Sequence, residues 1–340
     1  MDDRRYMKRA LELAEKGRGS VSPNPMVGCV VVHGNTIIGE GFTSPYGGPH
    51  AEVNAISSVK DHSMLTESTA YVTLEPCAHH GKTPPCADLL VEKKLKRVVV
   101  AIRDPFEQVD GRGIEKLKAA GIEVEVGLLE KEAEVSNIRF FTSVIKSRPF
   151  VILKWAQTAD GLVARENYDS KWISNSYSRQ LVHKWRAEED AILVGKNTAI
   201  YDNPSLTARE WSGKNPTRVL LDSNLEVKKD CSLFDGAAPT IVFNSLMEEK
   251  RKNITWLKTE MNNPWSVLRK LHEHNIQSVI VEGGAQVLNS FINENCWDEA
   301  RVFISENKFT KGIPAPSLDG IIVKEEAVFN DQLLTYRNNG

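Results

Sequence analysis

The chain has no stretch approaching the ~20 apolar residues that a membrane-spanning helix needs, so no membrane partner is expected. Its first residues, MDDRRYMKRALELAEKG, lack the apolar core of a secretory signal; Tyr6, Met7, Ala10, Leu11 and Ala14 instead recur as an amphipathic helix stripe. An excess of one charge is also missing. The net charge is −2, with 18 cationic against 20 anionic residues over 1–145 and 25 against 25 over 146–340. No nucleic-acid partner is therefore expected, since such partners call for a basic surplus. Cysteine is scarce and odd in number: five in 340 residues do not make a disulfide framework, and a cytoplasmic protein is expected. Low-complexity tracts, internal repeats and a complete G-x-G-x-x-G fingerprint are absent as well.

What is present is a set of metal ligands. His50-Ala51-Glu52 is followed by Cys77 and Cys86. A catalytic zinc takes three protein ligands and leaves its fourth tetrahedral position to water, whose pKa falls from about 15.7 to about 7. His50, Cys77 and Cys86 supply the three, and Glu52 is left free to carry a proton from water to a leaving amine. The order H-x-E, then P-C and a second cysteine, is that of zinc deaminases. Gly47-Gly48-Pro49 breaks the chain before a helix starting at His50; a short strand, Val72-Thr73-Leu74, runs into Glu75-Pro76-Cys77; Pro84-Pro85 precede a second helix starting at Cys86. Thiolates at helix starts are stabilised by free N–H groups and the helix dipole. Taken singly, each cysteine is more simply a small core residue and the histidine a satisfied polar group. Their joint order is what favours the metal. The general signature has two residues between its cysteines, whereas this chain has eight, AHHGKTPP.

The length suggests two domains. Strands at 26–32 and 36–42 with a hairpin at His33-Gly34-Asn35, a helix at 50–60, a strand at 69–75, a helix from 86, a strand at 97–102, a helix from 115 and a strand from 122 describe a layered α/β domain of about five strands. Cys29, between valines, reads as core; Cys231 and Cys296 read as unpaired. One helix is expected from Glu130 to about Lys146, ending before Ser147-Arg148-Pro149, where the boundary is placed. The second half reads as another α/β domain, with strands near 150–156, 190–194, 217–222, 240–244, 278–282 and 299–305 and helices at 176–188, 264–274 and 285–296.

In that half a strand passes through Glu282-Gly283-Gly284 into a helix, where glycines permit close approach of a diphosphate; a plain tight turn would leave the same trace. Asp202-NPSLTAR is a proline-broken loop carrying Arg209, with Arg186 on the helix upstream, and two arginines suit a substrate phosphate.

The segments PNPMVG (23–28), GPHAEVNAI (48–56), LEPCAHHGKTPPC (74–86), KWAQTADG (154–161), SKWIS (170–174), DNPSLTAR (202–209) and VEGGAQVL (281–288) together resemble, from end to end, the bifunctional riboflavin-biosynthesis deaminase-reductases of bacteria. The long cysteine spacing fits that family. The resemblance implies a cytidine-deaminase-like three-layer domain over 1–146, holding one Zn²⁺, and a dihydrofolate-reductase-like α/β domain over 147–340, using NADPH. Its substrate would be a pyrimidine ribosylamine phosphate: the first domain would hydrolyse the 2-amino group, and the second would reduce the ribosyl chain to ribityl. By the same likeness Asn24 holds the pyrimidine, and His79 and Lys82 bind substrate. Lys154 and Asp202 would lie near the reacting sugar carbon. Ser170, Arg186, Leu206 and Arg209 resemble the substrate-phosphate set. Ala156, Trp172, Thr198, Asp202, Ser223 and the run Gly284, Ala285, Gln286, Val287, Leu288, Asn289, Ser290 resemble the cofactor set, with Glu282 bordering both. Many members carry a histidine where this chain has Thr43. A homodimer or higher homo-oligomer is expected from family habit.

Two other readings bear on the same residues. A zinc deaminase of another nucleobase or nucleoside, fused to an unrelated domain, is opposed by the arginines downstream. A structural zinc module would need a fourth ligand, and no further cysteine or histidine stands at an obvious position.

Overall fold

The computed structural model describes residues 2–80, 84–106, 109–170 and 173–340. The chain divides into two compact units, Met1–Ser147 and Arg148–Gly340.

The first unit runs α1 (Asp3–Ala14), β1 (Gly28–His33), β2 (Thr36–Phe42), α2 (Ala51–Ser57), β3 (Ser68–Val72), α3 (Cys86–Glu92), β4 (Arg97–Val100), α4 (Arg112–Ala119), β5 (Glu123–Val126), α5 (Glu130–Ser136) and α6 (Ile138–Lys146). Its five strands lie in the order β2-β1-β3-β4-β5. β1 pairs antiparallel with β2 and β3, and β3, β4 and β5 are mutually parallel. Alternate residues of β1 feed different cores, as a period of two requires. Val30 and Val32 pack with Tyr6, Met7 and Ala10 of α1, while Cys29 and Val31 pack with Ala51, Ala55, Leu90 and Leu117 from α2, α3 and α4. Cys29 is thus a core residue. In α1 the buried stripe is Tyr6, Met7, Ala10, Leu13 and Ala14, so Leu13 takes the place expected of Leu11. Glycine seats the helix that bears the metal ligand. A Cβ on Gly41 would stand 2.3 Å from the Ala55 nitrogen, so α2 presses its backbone directly onto β2.

The helix expected over 130–146 is two helices. Asn137, between them, is buried and closes a pair with Met26: its side chain accepts from the Met26 N–H and donates to the Met26 carbonyl, both at 2.8 Å. That exchange fixes Asn137 at φ −103°, ψ 18° and ends α5.

The second unit comprises β6 (Phe150–Gln157), β7 (Leu162–Ala164), α7 (Ser176–Glu188), β8 (Ala191–Gly195), α8 (Lys196–Asp202), β9 (Thr217–Leu221), β10 (Thr240–Asn244), β11 (Glu249–Arg251), β12 (Ile254–Lys258), α9 (Pro264–Glu273), β13 (Ser278–Val281), α10 (Ala285–Asn293), β14 (Glu299–Ile304), β15 (Ile313–Pro314), β16 (Ile321–Val328) and β17 (Asp331–Arg337). Ten strands form one sheet, β11-β12-β10-β9-β8-β13-β6-β14-β17-β16. The run from β12 to β14 is parallel, and β11, β17 and β16 are antiparallel margins. In such sheets ligands bind beyond the carboxyl ends of the strands. There β8 leads into α8, β13 into α10, and β6, next to β13, carries Lys154 and Ala156. The short helix α8 and the strands β7, β11, β12, β15, β16 and β17 lie outside the sequence expectation. Asp331 at the head of β17 accepts from the Asn175 N–H at 2.8 Å and the Ser178 hydroxyl at 2.6 Å, so the last hairpin anchors the start of α7.

Candidate active sites

In the first unit His50 is the N-cap of α2 in extended backbone, and Cys86 is the first residue of α3 after Pro85. Cys77 lies on the segment leaving β3, where its carbonyl accepts from the Ala87 N–H at 3.1 Å. His50 Nδ1 stands 3.7 Å from the Cys77 Sγ and 3.4 Å from the Cys86 Sγ. The three ligand atoms lie within 4.8 Å of one another. Zinc bonds of roughly 2.0–2.1 Å to nitrogen and 2.3 Å to sulfur, at tetrahedral angles, require N–S edges of about 3.6 Å, so this donor set fits the ion. Its electrostatics already favour a thiolate. Cys77 is held down to about 4, first by its hydrogen bond with Cys86 and then, against burial, by His50 and the Cys86 N–H, which donates to Sγ at 3.3 Å. His50 is raised by its contact with Cys77, and Cys86 is pushed up by sharing its proton with Cys77 and by burial.

Glu52, on the first turn of α2, is 3% exposed. Burial, then the charge of Cys77, pushes its carboxyl up to about 7, which suits a group that takes and returns a proton at neutral pH. Cys77→Ser and Cys86→Ser are each expected to strip the metal, because each removes one of three protein donors; metal analysis after dialysis checks this, and full retention in both would count against the ligand set.

Asn24 lies half-buried in a turn where its N–H donates to the Val21 carbonyl at 3.0 Å. His79 meets the ring of Phe106 edge-on, centroids 6.0 Å apart, and its buried Nδ1 has no hydrogen-bond partner. Lys82 is outside the described residues. Thr43 is buried, its hydroxyl accepting from the Val27 N–H at 3.2 Å. Sequence reading missed Glu75, which it treated as the end of a strand. Glu75 is 3% exposed, and its carboxylate accepts from the N–H groups of Gly111 and Gly113 at 3.0 Å, Ile114 at 3.3 Å and Asp104 at 3.4 Å.

In the second unit Arg186 of α7 and Glu282, just past β13, form a two-pronged pair, Nε–Oε1 3.3 Å and Nη2–Oε2 2.9 Å, with side chains 11% and 9% exposed. Arg186 Nη1 also donates to the Thr207 carbonyl at 3.3 Å. Burial alone would raise Glu282, but Arg186 and then Lys154 hold it down to about 2. Burial lowers Lys154, with Glu282 opposing and Arg186 adding to the shift. Asp202, the last residue of α8, accepts from the Ser170 hydroxyl at 3.1 Å. Leu206 is buried with φ 50°, and the Arg209 side chain is 58% exposed, 3.9 Å from Glu210. The phosphate set expected from sequence is therefore split: Arg186 is engaged with Glu282, while Arg209 projects outward. Gly283, φ 116°, and Gly284 lead into α10, with Gly284 as its N-cap. A Cβ on Gly284 would sit 3.4 Å from Thr198 Oγ1 on α8, so Thr198 and the start of α10, both expected at the cofactor, are adjacent. Ala156 shares a face of β6 with Lys154. Ser223 follows β9, its carbonyl accepting from Ser245 N–H at 3.0 Å. Trp172 is outside the described residues.

The family model described as the cytidine and deoxycytidylate deaminase zinc-binding region matches residues 1–102, and the RibD C-terminal domain matches 149–305. Riboflavin biosynthesis protein RibD of Aquifex aeolicus is 43% identical over 333 residues, covering 96% of this chain and 93% of the relative. The chain belongs to the RibD family. RibD of Bacillus amyloliquefaciens is likewise 43% identical, over 92% of this chain and 86% of its own. A solved Thermotoga maritima structure, described as a diaminohydroxyphosphoribosylaminopyrimidine deaminase/5-amino-6-(5-phosphoribosylamino)uracil reductase, superposes with TM-score 0.92 at 41% identity, covering 99% of this chain and 98% of that one. Acinetobacter baumannii RibD gives TM-score 0.91 at 33% identity, with 99% of both chains covered. RibD chains are bifunctional, combining a deaminase and a reductase in riboflavin biosynthesis, and their cofactors are zinc and NADPH. The folds accord with this: a cytidine-deaminase-like unit precedes a dihydrofolate-reductase-like one. Among the described residues no helix is long and apolar enough to cross a membrane.

Proposed function

We propose that residues 1–146 remove the 2-amino group of 2,5-diamino-6-(5-phosphoribosylamino)pyrimidin-4(3H)-one as ammonia, and that residues 147–340 then reduce its ribosyl chain, giving 5-amino-6-(5-phosphoribitylamino)uracil. The observation carrying this reading is the buried Glu52 carboxyl, two residues beyond His50 in a His50–Cys77–Cys86 donor set whose ligand atoms lie within 4.8 Å of one another. Zinc held by those three residues supplies the Lewis acid that makes water nucleophilic at neutral pH. Glu52 takes a proton from the water on its carboxylate and gives it to the ring nitrogen, then carries a second proton, from the hydroxyl now on the ring carbon, to the amine, which leaves as ammonia. Asn24 holds the pyrimidine, and His79 and Lys82 bind substrate.

In the second unit NADPH supplies the hydride, with Ala156, Trp172, Thr198, Asp202, Ser223 and residues 284–290 as its seat. Lys154, kept beside Glu282, serves with Asp202 at the reacting sugar carbon. Ser170, Arg186, Leu206 and Arg209 receive the substrate phosphate; the exposed guanidinium of Arg209 is the more available of the two arginines. The test is a paired assay of ammonia release from the pyrimidinone phosphate and of NADPH oxidation with the deaminated compound. Ammonia from cytidine but not from the phosphate would overturn the reading. NADPH is expected to outperform NADH by about tenfold or more if a pocket beside Ser223 takes the 2′-phosphate, since a charge-assisted hydrogen bond contributes roughly 1.5–3 kcal/mol. Equal use of both would remove that pocket.

The same reading includes a cytoplasmic protein that associates as a homodimer or higher homo-oligomer. In support, β16 is an edge strand whose Ile321, Ile322 and Val323 are exposed, and long apolar edges invite pairing. Antiparallel self-pairing centred between Lys324 and Glu325 would bring opposite charges together. Sedimentation equilibrium is expected to find no monomer at micromolar concentration, and a monomer would refute the association.

A further inference from the structure

We propose that Lys196 is a specificity-determining residue of the reductase, the cation that takes the 2′-phosphate of NADPH, and that Glu226 is the counter-ion it gives up when the cofactor binds. The inference rests on the reading above, in which Thr198, Ser223 and residues 284–290 seat that cofactor. Lys196 is the first residue of α8, and its Nζ stands 2.5 Å from Glu226 Oε1, which also accepts from Asn224 Nδ2 at 3.1 Å. Lys196, and then Asn224, hold the Glu226 carboxyl below its ordinary range. Asn224 directly follows Ser223, so the lysine is tied to the turn expected at the 2′-phosphate.

The strands place this corner on the cofactor side of the sheet. β8 and β9 run parallel with Gly195 beside Leu221, so Lys196 and Ser223 both stand just past the carboxyl ends of adjacent strands, where ligands of such sheets bind. The Gly195 N–H donates to the Gly283 carbonyl at 2.9 Å, which ties the end of β8 to the turn entering α10. From α8, Thr198 therefore meets the expected diphosphate turn, while Lys196 meets the turn after β9.

That second turn shows why cofactor choice falls to this pair. Where a dinucleotide crosses parallel strand ends, a carboxylate binds the free ribose hydroxyl of NADH, and a cation accommodates the extra phosphate of NADPH. Asp222, at the end of β9, is 1% exposed, and its carboxylate is turned inward to accept from the N–H groups of Glu226 at 3.0 Å and Val227 at 2.8 Å. The carboxylate that reaches solvent is Glu226, 45% exposed, and Lys196 opposite it is 36% exposed. Ion pairs this exposed add little to stability, so the lysine is cheaply released. A phosphate carries more charge than one carboxylate and offers three acceptor oxygens, so it displaces Glu226 from the ammonium.

The test is calorimetric titration of the full zinc-loaded chain, and of Lys196→Gln and Glu226→Gln, with NADP⁺ and with NAD⁺. Lys196→Gln is expected to weaken NADP⁺ binding about tenfold or more, the scale of one charge-assisted hydrogen bond, with NAD⁺ affinity held within about twofold. Glu226→Gln should act in the opposite sense, tightening NADP⁺ about threefold, because an exposed competitor of the scale of one surface ion pair is gone. Thermal unfolding of both variants should match the parent, which separates a local effect from misfolding. An unchanged NADP⁺/NAD⁺ ratio in Lys196→Gln, equal loss of both dinucleotides, or weaker NADP⁺ binding in Glu226→Gln would each overturn the proposal. A parental chain that binds both dinucleotides equally would also overturn it while leaving the reductase reading in place. Binding of neither would instead count against that reading.

Discussion

Glu52→Gln is expected to lower deamination by a factor of about 10² to 10⁴ while the protein keeps its zinc. The amide occupies the same buried volume on the first turn of α2 but cannot take up the water proton. His50, Cys77 and Cys86 are untouched, so metal content separates loss of proton transfer from loss of the site. The reductase provides the internal control: given deaminated substrate, the variant should oxidise NADPH at close to the parental rate. Asp202→Ala should show the converse, releasing ammonia while the ribosylamino intermediate accumulates. Mixing the two should restore the full conversion. If the mixture is silent although both proteins are folded and zinc-loaded, purified intermediate added to Glu52→Gln discriminates: turnover there means that the intermediate does not pass between chains, and silence would falsify two separate sites.

Arg186→Ala is expected to destabilise the second unit strongly. It leaves the Glu282 carboxylate, 9% exposed, without its two-pronged partner, and breaking one side of a buried pair costs about 3–5 kcal/mol. Lys154 remains beside Glu282, which places the expectation near the lower end. Adding Glu282→Gln should recover much of the loss, since the orphaned charge is then gone. The pH dependence follows from the direction of the shift. Glu282 is held below its ordinary 4.5, at about 2, so the pair stabilises fully above about pH 4.5 and fades as pH falls toward 2. Arg186→Ala should flatten the stability profile in that window, read by denaturant unfolding followed through the second unit's tryptophans. An unchanged midpoint and slope would show the pair to be idle. Reductase activity should fall in the same variant whether Arg186 touches phosphate or only orders Glu282; retention of KM with reduced kcat would favour the second role.

The metal donors were legible because their signal is local. His50 and Glu52 share a helix start, Cys77 follows Pro76, and Cys86 opens a helix after Pro85, so spacing alone brings out the chemistry. The β1–β2 hairpin and the parallel strands other than β12 were legible for a similar reason, most being a short apolar run closed by a turn. What escaped depends on distant backbone. The donors to Glu75 lie 29 to 39 residues away, and all are main-chain N–H groups that leave no trace in side-chain type. Asn137 ends a helix because of Met26, 111 residues distant. Arg186 was read as a phosphate ligand from its charge, and only the fold discloses Glu282 opposite it. β16 carries exposed residues nearly throughout, so it lacks the alternation by which a half-covered strand is known.

The backbone contact between Gly41 and α2 reaches beyond packing. A methyl group there would collide with the Ala55 nitrogen and, at 2.5 Å, with the Ala51 carbonyl. The helix it would displace begins one residue after His50. A random-mutagenesis screen scored only on metal loss would therefore return Gly41 on a strand alongside the true donors, and a chemist reading that screen as a ligand map would draw the wrong coordination sphere.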